Sequence, residues 1–260
     1  MVVRNILKRE KLFRDVISQA SQISKSFYIV DHGSNDWSKE LLESFKSIFS
    51  LELIFEEFKG TMDEMKGKHY QILKSRNYPQ KQYIFILDWD EYIDDMLIGE
   101  INKLDFSSDV YFINRHTYLI DEVIDRRSYL PLLFEINSVQ IAPQDTFHKL
   151  YTINSKKTTR LQSVLHHYSY ESVKDMVDKN LFYAKEEANS LFKQNAYISS
   201  LVIFLRFLYE GSTFFLYTLL YHSNFRSLEG WLYSTNWFIY KFYKYLFYRE
   251  LQKNSREKKL

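Results

Sequence analysis

At 260 residues and 31.6 kDa the chain is long enough for one large core, or for one domain with a helical appendage, and its patterning fits the second option. Its 35 Lys and Arg against 33 Asp and Glu leave a formal charge of only +2, which excludes a bulk electrostatic partner such as duplex nucleic acid. Cysteine is absent, so disulfides, thiolate metal sites and a Cys nucleophile are excluded. The opening MVVRNILKRE lacks the apolar core of a secretory signal, and the expected compartment is the cytoplasm.

The first half alternates between two hydrophobic periods, as strands joined by crossover helices do. MVV is a stub of strand, and KREKLFRDVISQA puts Leu12, Phe13, Val16, Ile17 and Ala20 on one helical face. SFYIVD reads as a buried strand ending at Asp31, SKELLESFKSIF as a helix through Leu41, Leu42, Phe45 and Ile48, and LELIF as a third strand. MDEMKGKHYQILKS is a third helix, and QYIFILD a fourth strand ending at Asp88. The pattern predicts an α/β fold whose mainly parallel sheet carries helices on both faces. Beyond Tyr92, MLIGEINKL reads as a short helix, DVYFINR and TFHKLYTI as strands, and residues 119–144 as poorly patterned. From Tyr170 the chain is helical: residues 171–194, then two aromatic-rich segments around 198–221 and 227–251.

Ligands of such sheets bind beyond the carboxyl ends of the strands, where loops and helix N-termini converge. Two polar loops fall there, DHGSND (residues 31–36) and DWDEY (residues 88–92), and they are expected to be neighbours. Asp88 and Asp90 flank one residue at a strand end, where both can reach one hard cation such as Mg²⁺ or Mn²⁺, whose shell substrate phosphates often complete. The ordinary alternative is a solvated acidic junction, or Asp90 capping the next helix. An EF-hand is disfavoured because Ile93 stands at the sixth position, where a glycine is required. In the other loop Gly33 suits a tight turn, with Ser34, Asn35 and Asp36 offering groups to a ligand or to the following helix. The pair His166 and His167 matches no zinc spacing and reads as packing.

YIVDHGSND, followed about fifty residues later by YIFILDWDEYI, resembles the nucleotide-sugar-binding half of family 2 glycosyltransferases, the GT-A fold, over roughly residues 1–115. VRN at residues 3–5 resembles the end of that family's first strand. QDTFHKLY, HHYSYESVKDMVDK and FRSLEGWLYSTNWFIYKFYKY resemble the rear of cell-envelope members that decorate lipopolysaccharide core or related glycans. The resemblance implies a nucleotide-sugar site made by Asp31, Gly33, Ser34, Lys68 and Asp88, with Asp31 on the uracil or ribose and Lys68 near the phosphates. It implies a divalent metal, Mn²⁺ or Mg²⁺, held by Asp90 with Asp88. Transfer to an acceptor hydroxyl also needs a base. Asp145 is the first candidate, with Glu91 and His148 as others.

Between Trp231 and Tyr248 ten of eighteen residues are aromatic, interleaved with Lys241 and Lys244. The segment around 198–221 is apolar but contains Arg206, Glu210 and Gly211, so a bilayer span would be costly. Helices lying at the membrane interface are expected, with Lys or Arg reaching headgroups; packing on the catalytic domain or a dimer interface is the alternative. The expected organisation is a GT-A catalytic domain over residues 1–168 and a helical, membrane-associating region over 169–260. The expected function is metal-dependent, inverting sugar transfer to a cell-surface glycan or lipid-linked saccharide at the inner face of the cytoplasmic membrane. The rival is an inactive glycosyltransferase-like binding module at the membrane.

Overall fold

A computed structural model of the chain describes residues 1–57, 62–141, 151–194, 198–217, 220 and 227–257. Two compact units emerge, residues 1–115 with 128–167, and residues 116–127 with 168–260.

The first unit begins with β1 (Val2–Val3), a 3-10 turn at Ile6–Arg9, α1 (Glu10–Ala20), β2 (Ser26–Asp31), α2 (Ser38–Phe45), β3 (Ser50–Phe55) and α3 (Met62–Lys74). The three strands form a parallel sheet in the order β1-β2-β3, with Val3 opposite Asp31 and Asp31 opposite Phe55. The apolar stripe of α1 is buried as its spacing predicts: Phe13, Val16, Ile17 and Ala20 are inside, and Phe13 meets Phe45 of α2 edge to face. α2 stops at Phe45, short of the expected Phe49, and Ile48 is left exposed.

After α3 come β4 (Tyr83–Phe85), β5 (Glu91–Ile93), α4 (Asp95–Asn102), β6 (Val110–Leu119), β7 (Glu122–Glu135), β8 (Val139–Ile141), β9 (Tyr151–Ile153) and β10 (Thr158–Tyr170). A five-stranded sheet runs β4-β7-β6-β10-β5, and β8 pairs with β9. The expectation of a mainly parallel sheet holds for the first three strands only: β4 is antiparallel to β7, and β5 antiparallel to β10. The cause is connection length. Only Ile120 and Asp121 separate β6 from its neighbour β7, with Ile120 in the left-handed region at φ 58°, whereas a parallel return needs a crossover of about a dozen residues. β7 lies in the stretch that reads as poorly patterned, and β10 was not expected as a strand. Of the expected strand at 146–153, residues 146–150 lie outside the described residues.

The core of this unit joins Val16 and Ala20 of α1 to Leu97 and Ile101 of α4 and to Leu161 and Leu165 of β10. A second cluster seals α3 onto the sheet, where the Tyr70 hydroxyl donates to the carbonyl of Val139 at 2.6 Å and also to that of Ile136.

The second unit contains α5 (Val173–Gln194), α6 (Ser200–Tyr217) and α7 (Leu228–Glu257), with α7 packed along both α5 and α6. Leu119 and Ile124 from the β6–β7 hairpin tip pack with Met176 and Tyr233. Lys241 and Lys244, expected to reach outward, are buried at 6% and 4% exposure. Lys241 lies 3.6 Å from Glu187 of α5 and 3.7 Å from Glu210 of α6, and Lys244 pairs with the same two carboxylates. Tyr240 donates to Glu187 and Tyr245 to Glu210. A buried charge survives only when paired and hydrogen-bonded, and this network supplies both. α6 is different on its outer side. Leu201, Phe204, Leu205 and Tyr209 are more than half exposed, and among the described residues α6 is the helix long and apolar enough by composition to cross a membrane.

Candidate functional site

The β2–α2 loop is held by its own polar groups. The Asp31 carboxylate, 1% exposed, accepts the backbone N–H of Ser34 at 2.9 Å and the Ser34 hydroxyl. Gly33 sits at φ +65°, a conformation an L side chain rarely adopts; the nearest atom to an added Cβ would be 3.6 Å away, so backbone conformation rather than crowding selects glycine. Asp36 accepts the N–H of Ser38 at 3.0 Å, opening α2.

The residues Val3 to Ile6, between β1 and the turn that follows, link this loop to the other. Asn5, at φ 49°, donates its backbone N–H to Ser34 Oγ at 2.8 Å, and its side-chain oxygen accepts the N–H of Asn35 at 3.0 Å. Val3 and Ile6 share a cluster with Trp89, the residue between the two aspartates.

The DWDE segment is a closed turn. Asp88 donates its N–H to Glu91 Oε2 at 2.8 Å, and Glu91 returns its N–H to the Asp88 carbonyl at 3.2 Å. Glu91 is 1% exposed, and its other oxygen lies 3.3 Å from the Arg115 guanidinium on β6. The Asp88 carboxylate takes the Lys66 ammonium of α3 at 2.6 Å. The Asp90 carboxylate lies 3.5 Å from His167 Nε2 on β10, which the register of β10 against β5 brings opposite Glu91. Asp94 caps α4 by accepting the N–H of Leu97 at 2.8 Å, and His166 adds a contact to it at 3.1 Å.

The electrostatics separate the two acids. Burial alone would raise the Asp88 pKa, but the Lys66 ammonium, with His167 and Arg115 behind it, overrides that and holds the carboxyl at about 2. Burial and the Asp88 charge push Glu91 up, with Arg115 opposing. Asp88 is therefore the standing anion of the turn.

The structure brings Asp31, Gly33 and Ser34 together in one loop, and Asp88, Asp90 and Glu91 in the other. Lys68 does not join them: it is paired with Glu56, which also meets His69 Nε2 at 3.1 Å. Two positions earlier on α3, Lys66 takes the contact with Asp88. Spacing of two turns a helix by about 200°, so a helical-wheel reading anchored on buried Met65, His69 and Tyr70 could have separated the two lysines. Arg115 and His167 were not singled out for the site; both stand on strands whose far ends obscure the pattern. Asp145 and His148 lie outside the described residues.

Comparison with known proteins adds little to this geometry. No protein-family model matches the chain, and no curated protein does. Among solved structures, S. aureus TarS 1-349 superposes at TM-score 0.47 with 12% identity, covering 98% of this chain and 90% of that one. The same protein in complex with UDP-GlcNAc gives TM-score 0.48 and 13% identity over the same shares. Another S. aureus TarS structure gives 0.44 and 16%, covering 72% of this chain, which spans only 39% of that chain's length. Likeness at this level is one of general chain path, and the functional reading rests on the site itself.

Proposed function

We propose that the chain is a glycosyltransferase that moves a sugar from a nucleoside-diphosphate sugar to a hydroxyl of a saccharide or lipid-linked acceptor, with inversion. The observation that supports it is the pairing of two strand-end loops: DWDE folded into a turn that keeps Asp88 ionised and places Asp90 beside His167, and DHGSN tied to it through Asn5 and Trp89. Carboxylates gathered at the carboxyl end of a strand suit a ligand that brings its own phosphates and cation.

Among the described residues no cluster of three or more His, Cys, Asp or Glu side chains forms a complete metal cage. The donor set nevertheless suits Mn²⁺ or Mg²⁺, because such ions commonly take one or two carboxylates and complete their shell with water and phosphate oxygens. Asp90 and Asp88 would hold the ion, which when bound would neutralise charge on the departing diphosphate. Lys66 holds a positive charge at the same place. Gly33 and Ser34 offer loop backbone to the donor, and Asp31 fixes that loop's shape. Both Glu91 oxygens are already engaged, which suits holding the turn, and the base is assigned to Asp145. Lys68, paired with Glu56, is left outside the donor site, and Lys66 takes the place beside the phosphates.

The C-terminal unit is proposed to rest on the inner face of the cytoplasmic membrane through the exposed apolar side of α6, with Lys241 and Lys244 cross-linking the helices rather than meeting headgroups. The acceptor is accordingly placed at that surface, as a cell-envelope glycan or glycolipid. A donor screen that scores nucleoside diphosphate release with and without Mn²⁺ tests the reading. Release from one donor, lost in Asp90→Ala with the circular dichroism unchanged, is expected; full activity in that variant would overturn it.

A further inference from the structure

Each acid of the DWDE turn meets a basic side chain brought from elsewhere in the first unit: Lys66 of α3 at Asp88, His167 of β10 at Asp90, and Arg115 of β6 at Glu91. The three contacts are not alike. Glu91 is buried with both oxygens engaged, one by the Asp88 N–H at 2.8 Å and the other by Arg115 at 3.3 Å, so that pair belongs to the frame of the turn. Asp90 and His167 Nε2 stand 3.5 Å apart, too far for a strong hydrogen bond. Lys66 and Asp88 make the tightest contact of the three, at 2.6 Å between Nζ and Oδ1, and about a quarter of the Asp88 side chain (26%) is still open to solvent.

The helix that carries Lys66 is anchored on both sides of it. Met65 is fully buried with Val2 and Val30, the Tyr70 hydroxyl donates to the Val139 carbonyl at 2.6 Å, and His69 Nδ1 meets the Tyr28 hydroxyl at 2.7 Å. Movement of the ammonium therefore falls to its own side chain, a flexible four-carbon stem that ends in a compact point charge. An ammonium in contact with Asp88 Oδ1 takes up the coordination space of that oxygen. A divalent ion on the same atom would be held against a like charge at close range. Phosphate oxygens offer the ammonium a partner of equal kind.

We propose that Lys66 is a resident cation of the donor site: without nucleotide it occupies Asp88 and keeps a divalent ion from it, and it gives up Asp88 when a diphosphate supplies oxygens for the ammonium. The inference rests on the donor-site reading above and deepens it, by giving the order in which the site fills. Lys66 then couples the two ligands, so nucleotide and divalent ion strengthen each other by the same factor. Lys68, exposed and paired with Glu56, has no part in it.

The test is the binding of Mn²⁺ alone to the full chain, followed by calorimetry and by loss of the free-ion electron paramagnetic resonance signal. Lys66→Met and Lys66→Gln, which keep most of the stem without its charge, are expected to bind Mn²⁺ about tenfold or more tightly than the unaltered chain, in the usual range of coupling between sites. Lys68→Met removes the same formal charge two positions away and should change Mn²⁺ affinity less than about threefold. In an Asp88→Asn background the effect of Lys66→Met should vanish, because the charge competed for is gone. Mn²⁺ affinity no tighter in the Lys66 variants, or raised equally by Lys68→Met, would overturn the proposal. The unaltered chain supplies a reading that needs no variant: Mn²⁺ at equal concentration should leave the amide resonances of Asp88 and Glu91 sharp, and broadening of both by Mn²⁺ alone would overturn it as well. Failure of UDP, GDP and CDP to bind would sink the donor-site reading separately, since the Mn²⁺ comparison involves no nucleotide.

Discussion

The Met1 ammonium offers a stability test with a worked sign. It lies part-buried against the Tyr28 carbonyl, and desolvation lowers its pKa from 8.0 to about 6, with Asp88 opposing and Lys66 adding to the shift. The unfolded chain then binds more protons than the folded one between about pH 6 and 8, so stability must rise with pH across that window. A shift of two units corresponds to about 2.7 kcal/mol, fully present above pH 8 and lost as pH falls through about 6. The comparison that isolates the amine is between the free chain and the same chain acetylated at Met1, both verified by intact mass. Urea denaturation from pH 5 to 9 is expected to show the acetylated protein gaining about 2–3 kcal/mol on the free one at pH 5, with the gap closing by pH 9. A gap that does not change with pH would refute the burial of the amine.

Lys244→Ala removes one cation from the buried network with Glu187 and Glu210 and is expected to cost about 3–5 kcal/mol, visible as a fall in thermal midpoint of roughly 10 °C. A change within about 1 kcal/mol would mean that these lysines face solvent. Gly33→Ala, at φ +65° with ordinary space around it, should lose about 1–2 kcal/mol in chemical denaturation; an unchanged midpoint would argue against the left-handed turn. Lys66→Ala should weaken nucleoside diphosphate binding in calorimetry by about tenfold, while Lys68→Ala, whose exposed pair with Glu56 is worth little, should change it less than about threefold. Equal effects would return Lys68 to the phosphates.

The parts of the fold that sequence shows are those whose period is local. The α1 stripe through Phe13, Val16 and Ile17 and the strand that stops at Asp31 could be read because each buries one face and ends on turn chemistry. β7 could not. EVIDRRSYLPLLFE carries four charges in its first half and Pro131 in the second, and its place between β4 and β6 is fixed by the two-residue turn before it and by distant partners. β10 was hidden by the same cause, since its burial alternates only around Leu161 and Leu165 while its His, Ser and Tyr residues are half-buried.

The candidate site divides along similar lines. Gly33, Ser34, Asp88 and Asp90 lie within short motifs at strand ends, where residue type and position mark them as candidates while a turn, a cap or a solvated junction remains the ordinary alternative. Their supports do not. Lys66 comes from a helix that sequence would enter through Lys68, Arg115 from β6, and His167 from β10, so each contact depends on tertiary register. In the second unit, Lys241 and Lys244 looked like interfacial cations because their partners, Glu187 and Glu210, sit dozens of residues away on α5 and α6.

The central claim is that the DWDE turn and the DHGSN loop form a site for a nucleoside diphosphate and its cation. Isothermal calorimetry of the full chain with UDP, GDP and CDP, each with and without Mn²⁺, tests it most directly. The account predicts that at least one nucleotide binds, that Mn²⁺ tightens it, and that Asp90→Ala removes the Mn²⁺ dependence while the fold persists. Failure of all three nucleotides to bind, with Mn²⁺ present and the protein folded, would contradict it and leave the chain as a binding module that shares only the architecture.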